Sequence, residues 1–195
     1  MASDFSYELV SAGGLAYDGS GAGTTEALLT GAFDNDTEEM RQAVYAVTPL
    51  SEEGDCAGDP FTVTVGVLPN PLGADVAATL CSGAPTGIAL AAAGNANAAV
   101  AFDVELLAIS GNLLGTPTTG TALGAGAIEG DRYVNTSATA GSVVCRVTPI
   151  SAGGCRGRVF PVTLTVLPEP RIAAALQIAG VDFPGSGACG HFNVI

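Results

Sequence analysis

The chain has 195 residues, a formal net charge of −13 and six basic residues, all of them arginine. That length suits two small domains. The acidity excludes a nucleic-acid backbone or an anionic membrane as partner, because both need a basic patch.

Gly, Ala, Thr and Val dominate and Trp is absent, which favours short strands and tight turns over helices. No apolar run approaches the roughly 20 residues of a membrane helix, so no membrane insertion is expected. Met1-Ala2-Ser3-Asp4 lacks the basic start and apolar stretch of a secretory leader.

In chain order, Phe5-Ser6-Tyr7-Glu8-Leu9 reads as a strand. Asp34-Asn35-Asp36-Thr37-Glu38-Glu39 follows as an acidic turn. Val47-Thr48-Pro49 leads to Cys56, the strand Phe61 to Val65, and Leu68-Pro69-Asn70-Pro71. A fuller unit comes next. Val76 to Cys81 is expected as its first strand, Gly87 to Ala91 as its second and Val100 to Ile109 as its third. In the third, Ala101/Asp103/Glu105 alternate against Phe102/Val104/Leu106. Gly111 to Gly130 carries weak strands and turns, and Tyr133 to Ser137 a short strand. Ser142 to Pro149 and Arg158 to Leu167 form a final hairpin across Ser151-Ala152-Gly153-Gly154.

The chain repeats itself. Val147-Thr148-Pro149, Cys155, Phe160 to Leu164 and Leu167-Pro168-Glu169-Pro170 return the earlier block 99 to 100 residues later. Phe5 to Leu9 matches Phe102 to Leu106, Asn35 falls opposite Asn135, and Tyr45 opposite Cys145. The first copy therefore enters at its third strand, and its two opening strands are expected to be absent. A tail follows the second copy, with an apolar stretch from Ile172 to Ile178, the turn-like Gly185 to Gly190, and Phe192 to Ile195. Its order of features is that of the missing opening.

These residues resemble the PKD-like, immunoglobulin-like repeats of large bacterial surface proteins, as in Bacteroidetes-type adhesins. The motifs are Cys81-Ser82-Gly83, Asn135-Thr136, the Val147 to Gly157 run, the strand Phe160 to Val166 and Pro168-Glu169-Pro170. The resemblance implies an extracellular architecture, with adhesion and no chemistry of its own. The expected fold is all-β: an incomplete immunoglobulin-like sandwich over 1–70, a complete one over 71–170, and a donor-strand tail over 171–195.

No Cys-x-x-Cys is present, and the single His191 cannot build a multi-histidine metal site or a catalytic triad. A disulfide framework suits the five cysteines better, the alternative being five reduced thiols. Cys81 opens the second copy and Cys155 lies in its last turn, so an intrachain Cys81–Cys155 bond is expected. Cys56 occupies the same turn in the first copy, and Cys189 is the one cysteine in an opening-like position. Their bond is expected between molecules. Cys145 reads as a buried thiol.

No enzyme activity and no cofactor are expected. Asp34, Asp36, Glu38 and Glu39 concentrate oxygen ligands of the kind calcium takes; the competing reading is a solvated side-chain turn. Asn35-Asp36-Thr37 and Asn135-Thr136-Ser137 fit the glycosylation pattern, but their shared position favours an inherited turn.

The expected partner is the protein itself, as a head-to-tail homopolymer outside the cell. Leu176, Ile178, Phe192, Val194 and Ile195 of one tail would fill the vacant strands of a neighbour. A tail of roughly 25 residues extends at most about 80–90 Å, which makes a neighbour easier to reach than the chain's own first domain. The alternative is a monomeric binding-module fragment of a long tandem-repeat adhesin.

Overall fold

The computed structural model describes residues 4–19, 22–24, 32–51, 56–170, 177–178 and 181–182. The chain divides into two units. Unit 1 takes Met1–Asn70 with Gly94–Ala98, and unit 2 takes Pro71–Ala93 with Ala99–Ile195.

In unit 1 the strands are β1 (Asp4–Ser11), β2 (Ala16–Tyr17), β3 (Ala22–Thr24), β4 (Phe33–Asp34), β5 (Arg41–Leu50) and β6 (Phe61–Val67). The main sheet runs β3-β1-β5-β6, and β2 pairs with β4. Unit 2 holds β7 (Leu72–Gly73), β8 (Val76–Cys81), β9 (Ala92–Ala93), β10 (Ala99–Ser110), β11 (Leu113–Leu114), β12 (Gly120–Leu123), β13 (Val134–Asn135), β14 (Gly141–Ser151) and β15 (Phe160–Leu167). Its main sheet runs β12-β10-β14-β15-β8, flanked by the pairs β7-β9 and β11-β13. In the tail, β16 (Gln177–Ile178) pairs antiparallel with β17 (Val181–Asp182).

The all-β expectation holds, as does the immunoglobulin-like sandwich. The first strand of the second copy appears with its expected ends. The expected second strand at Gly87 to Ala91 does not form. There Pro85 makes only an isolated bridge to Arg132, and Ile88 and Leu90 pack on the core from irregular backbone. Thr86 locks that path, its hydroxyl donating to the Ile128 carbonyl. The stretch is held by that hydroxyl and by single backbone bonds from Thr86, Gly87 and Leu90 to the Asp131, Glu129 and Ala125 carbonyls rather than by a ladder, so the two-residue period that marks a strand is lost.

The two units share one plan. Phe5 opposes Pro49 as Phe102 opposes Pro149, and Val47 opposes Phe61 as Val147 opposes Phe160. Alternation sorts the side chains. In β15, Phe160, Val162, Leu164 and Val166 point into a core completed by Phe102, Val104, Val143, Cys145 and Val147. Among the described residues one strand of this main sheet has no counterpart in unit 1: β8 runs parallel to β15, from Val76 beside Val162 to Cys81 beside Leu167. In unit 1, among the described residues, nothing pairs with the corresponding edge of β6.

Candidate functional site

The site the repeat points to is that bare edge of β6. Val63, Val65 and Val67 alternate inward as their counterparts do, but they stay half-exposed. Phe61 is 49% exposed, whereas Phe160 is 4% exposed. The difference is the cover. In unit 2, Val76, Ala78, Leu80 and Ile88 lie over the cluster, and Gly73 sits so close that a Cβ there would stand 2.0 Å from the Phe160 ring. Without a cover, unit 1 fully buries only Leu15, Ala43 and Tyr45 in its described core. An unpaired strand with an apolar face is a template for another strand.

The cover follows a definite path. The chain rises through β8 beside β15, turns at Cys81 to Pro85, and returns to pair Ala92 with Gly73 and Ala93 with Leu72. The Pro71–Ala93 stretch is thus a strand pair with an irregular return.

Of the expected donor residues, Ile178 lies on β16, paired with Val181. Leu176, Phe192, Val194 and Ile195 lie outside the described residues, as do Cys189 and His191. The β16-β17 pair reverses the chain direction, as the turn after β8 does.

The cysteines require a correction. Cys81 and Cys155 are not bonded to each other, and the register keeps them apart. Cys81 stands beside Leu167, at the end of β15, while Cys155 precedes its start. The ends of an eight-residue strand lie about 23 Å apart, far beyond the Cα separation of under about 7 Å that a disulfide accepts. The parallel direction of β8 is the cause: an antiparallel first strand would have ended near the turn. Cys56 is exposed in the β5-β6 turn, its N–H donating to Ser51 Oγ at 3.1 Å. Cys155 sits alike, 3.2 Å from Ser151 Oγ. Cys145 is buried; burial first, and then the Asp131 charge, push its thiol up.

The acidic turn does not gather a cation cage. Asn70 Nδ2 donates to Asp34 Oδ1 and, at 3.2 Å, to Asp36 Oδ1, so a neutral amide bridges the two carboxylates. Among the described residues no group of three or more His, Cys, Asp or Glu side chains is placed to hold a metal ion. The calcium candidate Asp34, Asp36, Glu38 and Glu39 is therefore set aside.

Asn35 organises this turn and Asn135 its counterpart. Asn35 Nδ2 donates to the carbonyls of Glu39 and Val67 at 2.9 and 2.8 Å, and its Oδ1 accepts from the Thr37 N–H and hydroxyl. Asn135 does the same with Thr139, Val166 and Ser137. Both side chains are buried, with both amide hydrogens engaged, which leaves no nitrogen for a sugar. The inherited-turn reading holds.

One open polar groove crosses unit 2 beside β10, lined by Asp103, Glu105, Arg146 and Arg156. Its charges are mutually paired, Arg146 with Glu105 and Arg156 with Asp103. They serve one another rather than a substrate.

The model of the PKD-like domain family matches residues 11–71 and 78–170. Among solved structures, the cadherin-like domains 1 to 4 of zebrafish RET share 14% identity over 87% of this chain, with a TM-score of 0.22. The chain spans 41% of that structure's length. No curated protein matches. No helix among the described residues is long and apolar enough to cross a membrane.

Proposed function

The chain belongs to the PKD-like domain family, whose members are extracellular adhesion or structural modules and typically not catalytic, and from that premise we propose that it is the structural subunit of a surface filament. Subunits join head to tail, the tail of one filling the bare β6 edge of the next by strand addition. Such a contact is heterologous and does not close, so it propagates.

The observation that carries this reading is the contrast between β6 and β15. The two strands are similar in sequence, register and inward pattern, yet among the described residues only β15 has a parallel neighbour. The tail follows its Leu-Pro-x-Pro linker as the stretch that covers unit 2 follows the first one. It has an apolar stretch ending in β16 and then a reversal into β17, the order found at β8. Covering Phe61, Val63, Val65 and Val67 should stabilise by roughly 1 kcal/mol for each half-exposed side chain.

The second reading is a piece of a tandem-repeat adhesin. It is favoured by the fact that unit 2 takes its cover from its own opening residues, Pro71–Ala93. Deleting residues 171–195 separates the two. Strand donation requires that the truncated protein lose its polymers and that the β6 amides exchange faster with solvent. Polymers that survive the deletion would overturn it, and a monodisperse full chain with unprotected β6 amides would favour the adhesin piece.

A further inference from the structure

Unit 2 has a second cover besides β8, at the end where β14 turns into β15. Pro71 lies against Gly157 so closely that a Cβ on that glycine would stand 1.6 Å from the Pro71 carbonyl oxygen and 3.0 Å from Pro149 Cγ. Pro71 and Pro149 are fully buried in this joint. Glycine is required there by the approach of another backbone, because Gly157 does not have a positive φ.

Unit 1 carries the same shelf. The Gly58 N–H donates to the Pro49 carbonyl at 2.9 Å, as the Gly157 N–H does to Pro149. A Cβ on Gly58 would meet Pro49 Cγ at 2.9 Å, and among the described residues nothing stands where Pro71 stands over Gly157. Gly58 and Ser51 are exposed and Pro49 is half-buried, whereas Ser151 is 3% exposed.

The matching plug is less covered at its prolines. Leu68-Pro69-Asn70-Pro71 recurs as Leu167-Pro168-Glu169-Pro170. Pro69 and Pro71 are fully buried, yet Pro168 is half-buried and Pro170 exposed. Among the described residues one chain thus presents one bare socket, one plug held by Cys81 at Leu167 and by Ser82 at Glu169 but exposed at Pro170, and one joint of the same kind already made.

We propose that the Pro49–Gly58 shelf is a docking socket for the Leu167–Pro170 linker of a second copy, seated as Pro71 is seated on Gly157. This inference rests on the homopolymer reading and gives it a second contact. The proline linker suits the role: its restricted φ leaves little backbone freedom to lose on docking. It would also set where the donated tail starts, since β8 begins five residues after Pro71 at Val76.

The test places a photo-cross-linking p-benzoylphenylalanine at the exposed Asp59 of the full chain, mixed from isotopically light and heavy batches. Hybrid cross-linked peptides joining position 59 to residues 167–171 are the expected result. They should be lost on Pro170→Asp in the same chain, and on Gly58→Val with the melting of unit 2 unchanged. Links that map elsewhere, links that survive Pro170→Asp, or no hybrid links at all overturn the socket. Deleting residues 171–195 leaves Pro170 in place and separates the two proposals. Links that persist while polymers vanish support the socket together with strand donation. Links that persist in a full chain that never polymerises keep the socket and sink the filament.

Discussion

Phe61 and Phe160 occupy one position in two copies of the same sheet, and each meets a phenylalanine on the first long strand edge-on. The ring centroids of Phe5 and Phe61 are 6.5 Å apart, and those of Phe102 and Phe160 are 6.4 Å apart. The aromatic pair survives the loss of its cover; its burial does not.

The two truncations should therefore differ. Phe160→Ala should cost about 3–5 kcal/mol, the range for a buried phenylalanine. Phe61→Ala should cost roughly 1 kcal/mol in the unassembled protein, since half of its surface is already in water. In the assembled protein its cost should approach that of Phe160→Ala. Denaturant unfolding of the two variants, with and without residues 171–195, measures all of these. Equal costs for the two in the truncated protein would mean that the Phe61 face is covered by something other than the tail.

Asn35→Ala and Asn135→Ala should each destabilise their unit by about 1–3 kcal/mol, because each change strands carbonyls that were bonded: Glu39 and Val67 in one unit, Thr139 and Val166 in the other. Calorimetry gives the cost. Intact-mass measurement of protein made in a glycosylating host should show both asparagines unmodified.

The repeat was legible in the residues themselves. Val47-Thr48-Pro49 against Val147-Thr148-Pro149 located both hairpins, and the alternation around Phe102 and Val104 told which face is buried. The direction of the opening strand was not legible. Val76 to Cys81 reads the same whether it lies parallel or antiparallel to Phe160–Leu167, and direction alone decides whether Cys81 ends near Cys155 or a strand's length away. The irregular stretch from Ser82 to Ala91 was also hidden, because Ile88 and Leu90 are spaced as in a strand while the Thr86 hydroxyl and the Asp131 and Glu129 carbonyls hold the backbone. The socket at Gly58 was invisible as well. A glycine needed for close approach looks like any loop glycine until the backbone above its counterpart is seen.

Asp103 should make unit 2 sensitive to acid. The Ala122 N–H, donating at 2.8 Å, holds its carboxyl below the usual range; partial burial opposes this, and Arg156 adds to it. The folded pKa is depressed, so the stabilisation is present above the unfolded value of about 3.9 and is lost as pH falls through the folded one. Asp103→Asn should narrow the difference in unfolding free energy between pH 7 and pH 3. Ala122 has a φ of 52°, a left-handed conformation that costs an L-residue about 1–2 kcal/mol; glycine's greater backbone entropy loss offsets about 0.5–1 kcal/mol of that, so Ala122→Gly should stabilise unit 2 slightly.

Thiol labelling of the reduced, native protein at pH 8 should modify Cys56 and Cys155, which are exposed. It should spare Cys145 until denaturant is added, because burial withholds the thiol and raises its pKa. Labelling of Cys145 at the rate of Cys155 would mean that the unit 2 core opens readily.

Under strand donation, a Cys56–Cys189 bond between molecules would follow a path other than that of Cys81. Cys81 is no template for it, because the opening strand ends away from the turn. The return stretch is a better one: after β8 the chain comes back to pair Ala92–Ala93 with β7, whose Gly73 touches Phe160 at the turn end. A donated tail that rises beside β6 and reverses at the β16-β17 pair heads back toward the Cys56 turn. The seven residues from Asp182 to Cys189 can span about 23 Å, and β6, with seven residues, is about 20 Å long. With the tail donated in this way, Cys189 would come within reach of Cys56 on a neighbour. Non-reducing electrophoresis of assembled protein should show a ladder that collapses on reduction. Cys56→Ser and Cys189→Ser should each abolish it, while Cys81→Ser, Cys145→Ser and Cys155→Ser leave it unchanged. A ladder lost with Cys155→Ser would move the bond to the unit 2 turn, where β8 already covers the edge, and would separate the covalent link from strand donation.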